Sequence, residues 1–167
     1  MGTFRIASLL VAVCSLAGCG DDGAARDCQQ PADPRRQVDA CTRVIAADPK
    51  SAKAYNNRCQ AYNELTEYEK ALPDCNTAIK LTPSNASAYN NRGVTYEMQG
   101  ELDAALKDYD KAVSLSPKFA VALANRGDVY AKKGDKARAV AEYRAALAID
   151  PDIDVALNGL KKLGAQP

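Results

Sequence analysis

Six cysteines and no histidine set the chemistry open to this chain of 167 residues. Without imidazole, neither a Ser-His-Asp nor a Cys-His nucleophile can be assembled, and the commonest metal ligand is missing. The cysteines are left with disulfide formation, acylation or a thiolate metal site. No Cys-x-x-Cys spacing occurs, which argues against both a four-thiolate zinc site and a thiol–disulfide oxidoreductase. Glu64, Glu97 and Asp128 are carboxylates that one groove could gather as acids, but charged residues on exposed helices are common and nothing in the sequence raises their pKa. The reading is therefore non-enzymatic, with no cofactor and no resident metal. With 22 basic against 21 acidic side chains, the net charge of +1 offers no attraction for nucleic acid.

Cys14 and Cys19 fall in a leader-like segment. Arg5 carries the positive charge of the first residues, Ile6 to Val13 is apolar apart from Ser8, and Ser15-Leu16-Ala17-Gly18-Cys19 follows. This is the layout of a secretory signal, too short to span a bilayer stably. Leu16-Ala17-Gly18-Cys19 resembles the bacterial lipobox, which implies that Cys19 becomes the acylated first residue of the mature chain. The alternative is an ordinary signal peptide with Cys19 incidental and a soluble periplasmic product. Gly20, not Asp, follows Cys19, and the same resemblance then favours the outer membrane, facing the periplasm. Residues 1–18 are read as signal peptide and 19–34, polar and turn-rich, as a flexible lipid-anchored tether.

Behind this segment the chain is periodic. Pro49, Pro83, Pro117 and Pro151 are 34 residues apart, and Asn57, Asn91 and Asn125 keep the same step. A period of that length marks stacked helical hairpins. In residues 52–85, Tyr55, Cys59 and Tyr62 share one helical face and Ala71, Cys75, Ala78 and Ile79 another. Residues 86–119 repeat the scheme with Tyr89, Gly93, Tyr96, Ala105, Tyr109 and Ala112, and residues 120–153 with Leu123, Gly127, Tyr130, Ala139, Tyr143 and Ala146. Small residues let two helix backbones approach while tyrosines wedge between successive helices. Gly100 and Gly134 suit the turns, and each proline stops a second helix. Pro73, inside a second helix, should kink it or cost about 3 kcal/mol.

Tyr89, Gly93, Tyr96, Ala105, Tyr109, Ala112 and Pro117 stand where the tetratricopeptide repeat signature expects an aromatic, a small residue, an aromatic, Ala, an aromatic, Ala and Pro. The chain resembles that family over residues 52–153. The resemblance implies an all-α, right-handed superhelix of three hairpins (52–85, 86–119 and 120–153), whose concave groove holds a peptide segment of a partner protein. Residues 35–49 read as a lone second helix ahead of the repeats, and 154–164 as a capping helix. The groove face carries Lys53, Asn56, Asn57, Gln60, Asn63 and Glu64 in the first unit, and Asn90, Asn91, Val94, Glu97 and Met98 in the second. In the third it carries Val121, Ala124, Asn125, Asp128 and Lys132. Amides there can pair with an extended backbone. Chaperone-binding members clamp a terminal carboxylate with Lys, Asn and Arg, and only Asn91 matches; Asn56, Gln60, Val121 and Asn125 stand at the other positions, so that clamp is not assembled. The alternative role is a structural or regulatory subunit that oligomerises through its terminal helices. In either case the partner is another protein, and the lipid anchor is the membrane contact.

Where the family usually has an aliphatic residue, this chain has Arg58, Arg92 and Arg126. Antiparallel pairing puts Asp74, Asp108 and Glu142 at similar heights, which predicts a structural ladder of ion pairs, with anion binding by the arginines as the alternative. The hairpin also constrains the cysteines. Cys59 and Cys75 face each other in one hairpin and Cys28 is near Cys41 in sequence, so these two bridges are favoured over a Cys41–Cys59 link between units. They would offset two weak points, the absent first helix ahead of Arg35 and the helix holding Pro73, by roughly 3 kcal/mol each.

Overall fold

Helix starts and stops recur with the repeat. In the computed structural model, residues 22–29 and 33–166 are described, so the leader-like segment and Cys19 lie outside the described residues. Those residues form nine helices and no strand: α1 (Asp22–Gln29), α2 (Pro34–Ala47), α3 (Ala52–Glu64), α4 (Tyr68–Leu81), α5 (Ala86–Met98), α6 (Leu102–Leu115), α7 (Ala120–Lys132), α8 (Lys136–Ile149) and α9 (Asp154–Leu163). Ser51, Asn85 and Asp135 cap α3, α5 and α8 by accepting hydrogen bonds from free N–H groups of the first turn. Asp48, Thr82, Ser116 and Asp150, each just before a repeat proline, leave the helical region because the proline ring crowds it.

The hairpins are α3/α4, α5/α6 and α7/α8. Each second helix packs on the first helix of the next unit, and α3, α5, α7 and α9 lie side by side. Ala71, Ala105 and Ala139, with Ala78, Ala112 and Ala146, are fully buried where paired helices meet. Gly93, Gly127 and Gly159 make the closest approaches, the last against the ring of Tyr143. A Cβ built on Gly93 would fall 2.6 Å from the ring of Tyr109, and one on Gly127 would fall 2.8 Å from that of Tyr143. Only a residue without a side chain lets the ring lie flat against the backbone. In the first unit the same two positions are Cys59 and Cys75, which form a disulfide with a Cα–Cα distance of 5.4 Å. A covalent bridge thus replaces the ring-on-glycine contact.

Two expectations change. Residues 22–29, read as part of the tether, form α1, which packs on α2 and α3. Ala24 and Cys28 are buried, and Cys28 is bonded to Cys41 of α2. The segment is polar yet ordered because its two buried residues, Ala24 and Cys28, share a face that the disulfide holds down; residues 35–49 therefore have a short first helix after all. The second change concerns α4, which continues from Tyr68 to Leu81 through Pro73 without a break. Pro73 and Glu69 are both exposed, so the carbonyl that loses its helical partner can bond water instead. At the other end α9 takes the place of a fourth first helix, with Ala156 buried in the column of Ala54, Ala88 and Ala122.

The turn between helices needs a left-handed residue in every unit. Gly100 and Gly134 sit at φ 82° and 81°, and Thr66 occupies the same place at φ 59°. A β-branched side chain is strained there. Thr66→Gly is expected to raise stability by about 1 kcal/mol, read as an upward shift of the thermal midpoint; an unchanged or lower midpoint would contradict it.

Candidate functional site

The first helices expose a row of amides on the inner side of the stack. Asn56 and Asn90 are buried, at 8 % and 6 % exposure, because the next helix lies against them. Asn91 Nδ2 donates to Asn56 Oδ1 and Asn125 Nδ2 to Asn90 Oδ1, both at 3.1 Å, while Asn57 Nδ2 donates to the Cys28 carbonyl at 2.9 Å. The repeated asparagines thus stitch neighbouring units. Asn63 adds to the seam, donating to the Asn91 carbonyl and accepting from Thr95 Oγ1, each at 2.8 Å.

Over this seam opens a groove of about 680 Å³, lined by α3, α5 and the start of α7. Asn56, Asn57, Gln60, Asn63, Glu64, Asn90, Asn91, Val94, Met98, Val121 and Asn125 line it, together with Thr66, Tyr68, Ser87 and Phe119. Of the last four, Thr66 and Phe119 lie between helices and Tyr68 and Ser87 in the first turns of α4 and α5, outside the face that the helical period assigns to the groove.

Five residues placed on the groove face by sequence go elsewhere. Lys53 turns to α1, donating to Gln29 Oε1 at 2.7 Å. Ala124 is fully buried. Glu97 accepts from the Tyr109 hydroxyl at 2.7 Å and from Lys132 Nζ at 2.9 Å, and Asp128 accepts from the Tyr143 hydroxyl at 2.5 Å. The cause is the glycine contact: a ring lying flat on Gly93 or Gly127 carries its phenol under the first helix to a carboxylate. Burial, reinforced by Glu97 in one case and by Asp128 in the other, pushes both phenols well above their usual range. Two of the three carboxylates weighed as acids are therefore committed to tyrosines.

The arginine ladder lies on the opposite side. Arg58 holds Asp74 through Nε at 2.6 Å and through its second terminal nitrogen at 2.8 Å, and Arg92 holds Asp108 at 2.7 and 2.8 Å. Arg126 reaches both oxygens of Glu142 through one nitrogen at 2.8 Å. Each arginine also spans to the preceding unit: Arg58 to Thr42, Arg92 to Asn76 and Arg126 to Asp110. That third partner lies 16 residues upstream and repeats every 34, a signal present in the sequence. Arg92 also lies over the rings of Tyr89 and Tyr96, at 5.7 and 5.8 Å. The hydrogen bonds to Asp74 and Asp108 raise the pKa of Arg58 and Arg92 against the cost of burial. For Arg126 burial is the largest influence and opposes the charge, yet Glu142 and Asp110 outweigh it. Guanidinium groups already holding two or three partners are scaffold rather than an anion site.

Among the described residues, no group of three His, Cys, Asp or Glu side chains converges as a metal site, and no helix is long and apolar enough to cross a membrane.

Comparison with known proteins places this architecture. Tetratricopeptide repeat models match residues 86–119 and 120–153, and a further TPR repeat model matches residues 60–100. The chain belongs to the tetratricopeptide repeat family. The OM64 TPR domain of Arabidopsis is 25 % identical, with a TM-score of 0.65 over 68 % of this chain and 94 % of that one. A thermophilic TPR protein of Thermus thermophilus is 22 % identical, with a TM-score of 0.72 over 78 % of this chain and 75 % of that one. The first TPR of Spaghetti (RPAP3), solved bound to the HSP90 peptide SRMEEVD, is 22 % identical, with a TM-score of 0.65 over 70 % of this chain and 93 % of that one. No curated protein matches the chain.

Two measurements test these contacts. Arg92→Leu leaves Asp108 buried without its cation and is expected to cost about 3 kcal/mol in denaturant unfolding, whereas an unchanged midpoint with lost partner binding would make the ladder a binding site. Above about pH 10 an unfolded chain releases tyrosine protons that the folded chain retains, so stability falls as pH rises. Tyr109→Phe should remove about 1.4 kcal/mol per pH unit from that alkaline slope; an equally steep slope would contradict the burial of its phenol.

Proposed function

We propose that this chain is a non-enzymatic scaffold that holds an extended peptide segment of another protein in its inner groove at the bacterial cell envelope. The observation that carries the reading is the groove itself: a trough across three first helices, whose walls combine amides with apolar side chains. An extended peptide needs both, amides for its backbone and apolar shelves for alternate side chains. Repeat proteins of this family are generally scaffolds, and one of similar fold was solved with a peptide bound. The positions that would form a terminal-carboxylate clamp hold Asn56, Gln60, Val121 and Asn125, so an internal segment is the better ligand than a chain end.

The envelope assignment rests on the leader-like segment ending at Cys19, taken as the acylated anchor, and on two disulfides, which persist in oxidising compartments. On this reading residues 1–18 are cleaved and the protein is tethered to the outer membrane, facing the periplasm.

A photo-crosslinking residue at Val121, in the groove, should capture a polypeptide partner in intact cells, while one at Lys80, exposed on a second helix, should not. Equal capture at both positions, or none at Val121, would refute groove binding. For the anchor, cells fed labelled palmitate should label the wild-type chain and not Cys19→Ser; equal labelling, or none of the wild type, would leave the chain without this lipid.

A further inference from the structure

Charge is distributed unevenly around the groove. Among the described residues lining it, Glu64 alone is charged. Its carboxylate accepts from Gln60 Nε2 at 3.0 Å and has no cationic partner among the described residues. A second cavity of about 430 Å³ adjoins at Thr66, Tyr68 and Met98, and adds Glu67, Glu69 and Lys70. Lys70 is bonded to Glu67 at 2.8 Å, so Glu64 and Glu69 remain as surplus negative charge at this end. The basic residues of α3, α5 and α7 are all engaged elsewhere: Lys53 with Gln29, Arg58 with Asp74, Arg92 with Asp108, Arg126 with Glu142 and Lys132 with Glu97.

The remaining lining is apolar and accessible. Met98 and Val121 are 53 % and 45 % exposed, large values for such side chains inside a concavity, and Val94 and Phe119 join them. Asn90 is 6 % exposed; its Oδ1 accepts from Asn125, and its Nδ2 faces the groove without a partner among the described residues. An amide donor that touches solvent and has no partner within the protein is open to a ligand carbonyl.

Resting on the proposed peptide-binding role, we infer that the groove selects extended segments that combine apolar residues with lysine or arginine and rejects acidic ones. The apolar side chains rest on Met98, Val121, Val94 and Phe119, Asn90 donates to a backbone carbonyl, and the ligand's cation lies at the Glu64 end. An acidic ligand would meet two unpaired carboxylates and, among the described residues lining the groove, no cation, so discrimination comes from repulsion as much as attraction.

The test uses the full chain in detergent and three fluorescent decapeptides with amidated C-termini. They share one frame of alternating Val and Ser in which two positions are Lys, Gln or Glu. Anisotropy should rank them Lys, Gln, Glu, with about a three- to tenfold span between the extremes that narrows at about 0.5 M salt. Glu64→Lys should invert the order, while Met98→Glu and Val121→Glu, at exposed positions that leave the thermal midpoint unchanged, should weaken the Lys peptide about tenfold or more. Equal binding of all three peptides, or tighter binding of the Glu peptide, overturns the charge selectivity and leaves the peptide-binding role standing. Failure of the wild type to bind any of the three overturns that role as well. A stable oligomer that Met98→Glu dissociates would assign the groove to a second copy and overturn the proposal.

Discussion

Helix separation is the constraint from which the rest of this structure follows. Where paired helices meet, alanine, glycine and, in the first unit, a disulfide keep the backbones close, and no methyl group fits between Gly93 and the ring of Tyr109. Dense packing of this kind is sensitive to single methylenes. It fixes the angle at which one hairpin leans on the next, and hence the curvature that leaves a trough on the inner side. The tyrosine hydroxyls also follow from it: rings pressed flat on glycine end beneath the first helices, where Glu97 and Asp128 receive them.

Polar seams then lock what the small residues allow. On the outer side an arginine in each unit ties its own second helix to that of the preceding unit. On the inner side asparagines pair across 35 positions of sequence. Partners are present for nearly all the buried polar groups, so these seams specify how units dock. Each unit contacts only its neighbours, and the terminal units need extra support. At the N-terminal end that support is covalent. Cys59 and Cys75 stand where the later units have glycine and tyrosine, and Cys28–Cys41 holds an eight-residue helix that is too short to be stable by itself.

The inner groove inherits its character from this economy of contacts. Asn56, Asn57 and Asn63 use both halves of their amides within the protein, whereas Asn90, Asn91 and Asn125 use one, and every cation on α3, α5 and α7 is held by an anion or amide of the scaffold. What is left for a ligand is neutral amide, exposed apolar surface and a carboxylate at one end. A surface so composed has little to offer a phosphate or a terminal carboxylate and suits an internal stretch of polypeptide.

Much of this was legible in the residues alone. A period of 34 with recurring small and aromatic columns marked the hairpins and their inward faces, because the ring-on-glycine packing is used twice and a disulfide takes its place in the first unit. It also paired each arginine with its acid, since antiparallel helices bring fixed offsets together. Only the tertiary structure decided which groove-face residues remain free. Lys53 was drawn to α1, Glu97 and Asp128 to the buried phenols and Lys132 to Glu97, and Asn56 and Asn90 were buried by the next helix. These outcomes depend on distances between different helices, and a periodic pattern states which face a residue occupies without stating how close the neighbouring face comes. Helix α1 shows the same limit. Its sequence is polar and weakly helical, and it is ordered because a disulfide and the surface of α2 and α3 hold it, contacts that exist only once the chain has folded back.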